Sequence, residues 1–262
     1  MKQQEAGRIY IGYEDDPQQE QLSKGRYEFA LNFIKEGDIC LDAACGSGYG
    51  SEMISRIASK VFGLELDDHA LEFARSHYQN PKVSFQKANI TQHLDLPDNY
   101  FDVIVSIETI EHISVQDAML KEFQRVLKPD GLLVLSTVDH YIYSIKGGIR
   151  NKHHTNELTK SELLTLVSKY FNIEQLYGQL RYIPLSLAKV VGKWLWLSFL
   201  TILGRLDVLK VRYWIMKTFH LEEAISVVNR GISAMKLSSI DKITPNNKSQ
   251  YFQLILVARK GI

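Results

Sequence analysis

The chain has 262 residues, 45% of them hydrophobic and 23% charged, with a formal net charge of +1. That length suits one large α/β domain, or one domain with a substantial insertion, and the composition is ordinary for a folded soluble protein. The near-neutral balance gives no bulk electrostatic case for nucleic acid or another acidic partner. The two cysteines, Cys40 and Cys45, lie five residues apart around an apolar strand, which suits neither a disulfide framework nor a zinc site. A cytoplasmic setting is expected, and the polar amino terminus reads as carrying no signal or transit peptide.

In chain order, apolar periodicity predicts a helix over 18–35, with Leu22, Phe29, Ala30, Phe33 and Ile34 on one stripe. A strand follows at 38–42, then a glycine turn and a helix over 48–59. A second strand at 60–65 leads to a helix over 67–79, whose start is marked by Asp67 and Asp68. Pro81 stops that helix. Short strands are expected at 83–86 and 101–107, the latter almost wholly apolar, as a strand covered on both faces should be. A helix over 114–127 ends at the turn signal Lys128-Pro129-Asp130-Gly131, and 132–137 is the next strand. After a His- and Asn-rich loop at 151–157 come a helix over 159–170 and strands at 171–178 and 251–259. Strand and helix alternate through the first 137 residues, which calls for a parallel sheet with helices on both faces. Ligands of such sheets bind beyond the carboxyl ends of the strands.

The turn after the first strand is Asp42-Ala43-Ala44-Cys45-Gly46-Ser47-Gly48. Gly46 and Gly48 let the backbone turn tightly and approach a ligand, and the next helix offers free N–H groups to an anion. Ser51 occupies the third glycine position of a dinucleotide fingerprint, and the turn has no P-loop lysine. This disfavours a nicotinamide-dependent oxidoreductase. Glu65, at the end of the second strand, lies 23 residues after Asp42, about where such folds place a ribose-binding carboxylate.

Together these residues resemble the class I, Rossmann-like methyltransferases that use S-adenosylmethionine. The segments Phe101-Asp102-Val103-Ile104-Val105 and Leu127-Lys128-Pro129-Asp130-Gly131-Leu132 look like the fourth- and fifth-strand regions of that family. The resemblance implies a doubly wound, seven-stranded, mostly parallel sheet with the last strand antiparallel. It further implies that Asp42, Ala44, Gly46 and Gly48 surround the methionine part of the donor. Glu65 and Leu66 would meet the ribose and adenosine, Asn89 the adenine amino group, and Ile90 the face of the ring. Ala44 departs from the glycine common in the family at that position. Ser23-Lys24-Gly25-Arg26-Tyr27 is similar to the amino-terminal helix of polysaccharide- and quinone-modifying members, and Arg26 is a candidate contact for the donor carboxylate. The product is then S-adenosylhomocysteine.

Methyl transfer from a sulfonium requires an aligned acceptor and, for a hydroxyl, removal of its proton. Glu108-Thr109-Ile110-Glu111-His112 resembles the Glu-x-x-Glu-His segment of ubiquinone-pathway O-methyltransferases and small-RNA 2′-O-methyltransferases. Glu108 is expected near the donor. For His112, three roles stay open: general base, structural contact, or metal ligand. If the segment is helical, Glu108, Glu111 and His112 share a face. The site is expected to work without metal; a divalent ion would take Glu108, Glu111, His112 and His153, with His140 and His154 as other candidates for the later ligand. The 151–157 loop is expected to close over the substrate, and Thr159-Lys160-Ser161-Glu162 reads as a capping box.

The domain is assigned to 1–183 and 249–262, with a helical insertion at 184–248. Within 184–217 all three tryptophans occur, and Lys189, Lys193, Arg205, Lys210, Arg212 and Lys217 oppose Asp207 alone, a net +5. Its uncharged run, 194–204, is too short to span a bilayer. Two readings remain: a lid or homodimer surface, or basic amphipathic helices lying on the inner face of a membrane. The expected function is O-methylation of a small-molecule, sugar or lipid-linked hydroxyl, without nucleic acid. The alternative is a non-catalytic S-adenosylmethionine-binding protein of the same fold.

Overall fold

The computed structural model describes residues 17–179, 240–243 and 251–261. The elements run α1 (Pro17–Ala30), β1 (Ile39–Ala43), α2 (Tyr49–Ile54), β2 (Lys60–Glu65), α3 (Asp68–His77), β3 (Val83–Lys87) and β4 (Phe101–Ile107). They continue with α4 (Gln116–Val126), β5 (Leu127–Val138), α5 (Lys160–Val167), β6 (Asn172–Gln179), β7 (Ile240–Lys242) and β8 (Gln253–Arg259). One sheet holds all eight strands in the order β3-β2-β1-β4-β5-β8-β6-β7. The first five of that order are parallel, and β8 runs antiparallel between β5 and β6.

Alternation along the strands sends side chains to opposite faces. Leu41, Ala43, Ile104, Leu133 and Leu135 pack with Met119, Leu120 and Phe123 of α4 and Leu163, Leu166 and Val167 of α5. Cys40, Val103, Val105 and Val134 pack with Tyr27 and Ala30 of α1 and Met53 and Ile54 of α2. Helices therefore cover both faces, which is why the central strands are apolar at successive positions. The helix starts follow their caps. Asp67 Oδ1 accepts from Ala70 N at 2.8 Å, and Thr159 and Glu162 form the reciprocal capping box.

The structure differs from the sequence expectations in four places. The sheet has eight strands rather than seven. The additional one, β7, pairs with Tyr177–Gln179 and lies within the stretch assigned to the insertion; at three residues it is too short to show a period. β5 begins at Leu127 instead of 132. The Lys128–Gly131 turn signal is real, but the chain absorbs it as a bulge: Phe101 pairs with Leu127 and Val103 with Leu132, while Asp130 takes φ 61°. The 110–112 segment is a single 3-10 turn rather than part of a helix with Glu108. A π-helical turn, Tyr141–Lys146, follows β5 without a periodic signal. The rest of 184–248, with both readings of its basic tryptophan-rich part, lies outside the described residues. Among the described residues no helix is long and apolar enough to cross a membrane.

α1 and α2 meet closely at Gly50. A Cβ there would fall 2.0 Å from Tyr27 Cζ, and the buried Tyr27 ring is tethered by a 3.0 Å hydrogen bond to Asp42. Gly50→Ala is expected to lower stability by about 1–3 kcal/mol through overpacking. An unchanged denaturant midpoint would show that α1 and α2 can separate freely.

Candidate active site

A cavity of about 710 Å³ opens at the carboxyl ends of β1, β2, β4 and β5, where an open α/β sheet places its ligands. α1 contributes Gln19, Ser23, Arg26 and Tyr27 to its wall. The loop after β1 contributes Ala44 to Ser47, and the loops after β2 and β3 contribute Glu65, Leu66, Asn89 and Ile90. Glu108, Glu111 and His112 follow β4, while Tyr143, His153 and His154 follow β5.

Two residues of the first motif act from beneath the wall. Asp42 is fully buried and does not line the cavity. Its carboxyl accepts from Tyr27 Oη at 3.0 Å and Ser51 Oγ at 2.7 Å, tying β1 to α1 and α2. Burial pushes its pKa up to about 7, against the two hydrogen bonds. Gly48 also lies off the cavity. It takes φ 86°, and a Cβ there would come within 2.9 Å of Ala74 and Phe85. Ala44 does line the cavity, at φ 61°. That left-handed backbone is the physical reason glycine suits this position.

Glu65 is held in place by three backbone donors. Gly46 N reaches Oε2 at 3.0 Å, and Leu66 N and Asp67 N reach Oε1 at 2.9 Å each. The carboxylate thereby joins the β1 and β2 loops. Asn89 uses its oxygen in a turn with Thr91, and its NH2 has no hydrogen bond among the described residues. Ile90 is buried beside it, and Leu66 is exposed at the rim.

Arg26 is 1% exposed, and its hydrogen-bond partners among the described residues are all neutral: Gln179 Oε1, Gln253 Oε1 and Ser23 Oγ. Its Nε is buried without a hydrogen-bond partner. Gln253 in turn donates to Glu108 Oε2 at 2.8 Å. Glu108 also accepts from Ser136 Oγ at 3.0 Å and has φ 51°, a conformation that for a side-chain-bearing residue needs support from its surroundings.

Glu111 is fully buried. Thr137 donates to its Oε2 at 2.9 Å, while Oε1 has no hydrogen-bond partner among the described residues. Burial, then the charge of Glu108, raises its pKa well above the carboxylate range. His112 Nδ1 lies 2.9 Å from the carbonyl of His153. That contact makes Nδ1 the protonated nitrogen and leaves the Nε2 lone pair available. Burial lowers the His112 pKa, favouring the neutral imidazole. His154 packs edge-on to His112 and joins Glu157 through Nδ1 at 2.5 Å. Glu157 also takes His140 Nδ1 at 2.9 Å and Ser144. Burial pushes Glu157 upward, but these partners outweigh it and hold its carboxyl below the usual range.

The set that a divalent ion would take, Glu108, Glu111, His112 and His153, is not brought together as ligands. Glu108 is engaged by Ser136 and Gln253, and His153 contributes its carbonyl. Glu111, His112 and His154 instead offer ligand-type atoms within 4.8 Å of one another. Two imidazoles and a carboxylate are donors for a borderline ion such as Zn²⁺, whose binding would compete with the proton that burial favours on Glu111.

Sequence reasoning missed Gln253, Tyr143, Ser51 and the Glu157 cluster. A glutamine opening the last strand and an aromatic in a π turn carry no spacing signal. Ser51 was noticed only as a missing glycine.

Comparisons with known proteins find methyltransferases. Residues 41–135 match the family model described as a methyltransferase domain. The chain is 35% identical over 140 residues to a probable S-adenosylmethionine-dependent methyltransferase of Mycolicibacterium smegmatis, covering 53% of each chain. It is 29% identical over 157 residues to a ubiquinone biosynthesis O-methyltransferase of a Shewanella species, covering 52% of this chain and 66% of that one. The chain thus spans about half the length of the first of these curated relatives. A Thermotoga maritima S-adenosylmethionine-dependent methyltransferase, described as a possible histamine N-methyltransferase, superposes with TM-score 0.59 at 16% identity, over 93% of this chain and 91% of that one. This last likeness shows a shared fold.

The buried Asp42 makes stability depend on pH. Its folded pKa of about 7 lies above the unfolded value near 3.9, so the native state holds the proton more tightly. The contribution is fully present below about pH 4 and is lost as pH rises through 7. Asp42→Asn removes this dependence. Relative to the variant, wild type should lose on the order of 2–4 kcal/mol between about pH 4 and pH 8. Parallel pH dependences in denaturation experiments would place the titration elsewhere.

Proposed function

We propose that this chain, whose residues 41–135 belong to the methyltransferase domain family, transfers a methyl group from S-adenosylmethionine to a hydroxyl acceptor. The observation that carries the reading is one cavity wall bearing a complementary group for each part of the donor. The Ala44–Ser47 loop faces the methionine, and Arg26 supplies a buried cation for its carboxylate. Glu65 accepts from the ribose hydroxyls. Asn89 donates its NH2 to the adenine edge, with Ile90 and Leu66 against the ring. Leu66 is 55% exposed at the rim, where an adenine would cover it.

The reacting end lies toward His112, Tyr143, His154 and Phe252. Tyr143 stands 4.9 Å from the Phe252 ring and 5.3 Å from the His154 ring, an aromatic wall against which a ring-bearing acceptor can be aligned. His112 Nε2 takes the hydroxyl proton as the oxygen attacks the methyl carbon. The C–S bond breaks as the C–O bond forms. The products are a methyl ether and S-adenosylhomocysteine, and the proton passes from His112 to solvent. Glu108 and Gln253 fix the polar floor beside the sulfonium. No step requires a metal ion. The Shewanella relative, named for O-methylation in ubiquinone biosynthesis, supports hydroxyl chemistry; quinone-type phenols, sugars and lipid-linked glycans all fit this acceptor class.

Glu65→Ala is expected to weaken S-adenosylhomocysteine binding at least about tenfold, through loss of the ribose acceptor and of the anchor for the Gly46 loop. His112→Asn should bind it as wild type does, yet lower turnover by about 100-fold or more. Calorimetry and methyl-transfer assays against a hydroxyl-acceptor panel separate the two. Donor binding by wild type with no transfer to any acceptor would instead support the non-catalytic alternative.

A further inference from the structure

The rim of the cavity has a composition distinct from its interior. Among the described residues four large apolar side chains stand exposed: Leu66, Val115, Tyr141 and Ile145. All four lie in segments that follow the carboxyl ends of β2, β4 and β5, the edge at which the cavity opens. Scattered exposed apolar residues need no explanation. Their confinement to one edge does.

Leu66 belongs to the donor site. Tyr141 and Ile145 sit four residues apart in the π-helical turn, 52% and 61% exposed, so they project from nearly the same side of it. The same segment carries Arg150 and Lys152, both exposed. No Asp or Glu occurs between His140 and His153, whereas the whole chain has a net charge of only +1. The nearest acids are turned inward. Asp139 is 8% exposed and accepts from Tyr141 N, and the Glu157 side chain is 9% exposed among His140, His154 and Ser144. Asp117, near Val115, is paired with Lys169. The inner side of this segment is cavity wall, through Tyr143, Asn151, His153 and His154.

We propose that this rim is a membrane-contact surface that seats the cavity mouth on an anionic phospholipid bilayer. Tyr141 and Ile145 enter the interfacial layer, and the basic side chains lie against phosphate headgroups. This mixture of an exposed aromatic, aliphatic side chains and clustered cations fits a lipid surface better than the patterned face of an acidic protein. An acceptor carried on a lipid would then reach His112 from the interface; that clause rests on the methyl-transfer reading, while the docking does not.

The test is cosedimentation of the full chain with vesicles of phosphatidylcholine alone, or of phosphatidylcholine mixed with phosphatidylglycerol. Each basic side chain near an anionic surface strengthens partitioning about fivefold. Wild type should bind the anionic vesicles and not the neutral ones. Arg150→Glu/Lys152→Glu and, separately, Ile145→Glu should bind at least about tenfold more weakly, with unchanged thermal melts by circular dichroism. The proposal is overturned if wild type ignores anionic vesicles, binds both kinds equally, or if the folded variants bind as wild type does. The last result would move membrane contact to another part of the chain. Absent S-adenosylhomocysteine binding with intact vesicle binding would sink the donor reading alone.

Discussion

A buried guanidinium held only by uncharged partners governs this site. Arg26 is nearly inaccessible, and removing an ion from water is unfavourable unless hydrogen bonds and an opposite charge offset it. Gln179, Gln253 and Ser23 satisfy three of its five N–H donors, and among the described residues Nε has no partner. Glu108 is reached only through Gln253. The chain Arg26–Gln253–Glu108–Ser136 links α1, β8, the loop after β4 and β5, so the cation organises the cavity floor from four separate parts of the sequence. A ligand carboxylate is the group that such an arrangement lacks.

Asp42 plays the complementary part under the opposite wall. It lies at the strand end where a donor contact was expected, but its carboxyl points into the protein and fastens Tyr27 and Ser51. Its effect on a ligand is therefore indirect. It sets the place of α1, which carries Arg26, and the start of α2 below the Gly46 loop. Glu65 does the same from β2 by gathering the amides of Gly46, Leu66 and Asp67. The donor half of the cavity is in this sense preorganised before any ligand enters.

Much of this was legible in the sequence because strand ends carry strong local constraints. The glycine turn needs left-handed backbone, Asp67 and Thr159 announce helix starts, and apolar runs mark doubly covered strands. Strand boundaries put Glu65 at the end of the second strand, whereas the roles of Asn89 and Ile90 come from the family resemblance. The spacing of Glu108, Glu111 and His112 would fit one helical face, but 110–112 is a single 3-10 turn and Glu108 takes left-handed backbone toward Ser136. Of the three histidines offered for the later ligand, the chain turns His154 inward beside His112 and uses the carbonyl of His153. Neighbouring histidines cannot be told apart by pattern. Gln253 and β7 depend on pairings more than 60 residues distant in sequence, which no local period reports.

The account stands on Arg26 as receptor for the carboxylate of the donor's amino-acid end. Calorimetric titration of wild type and Arg26→Gln with S-adenosylhomocysteine and with 5′-methylthioadenosine, which lacks that end, tests it directly. Wild type should bind the former at least about tenfold more tightly, as a charge-assisted contact of this kind implies, and the preference should vanish in the variant. Equal affinities in wild type, or a preference that survives in folded Arg26→Gln, would contradict it.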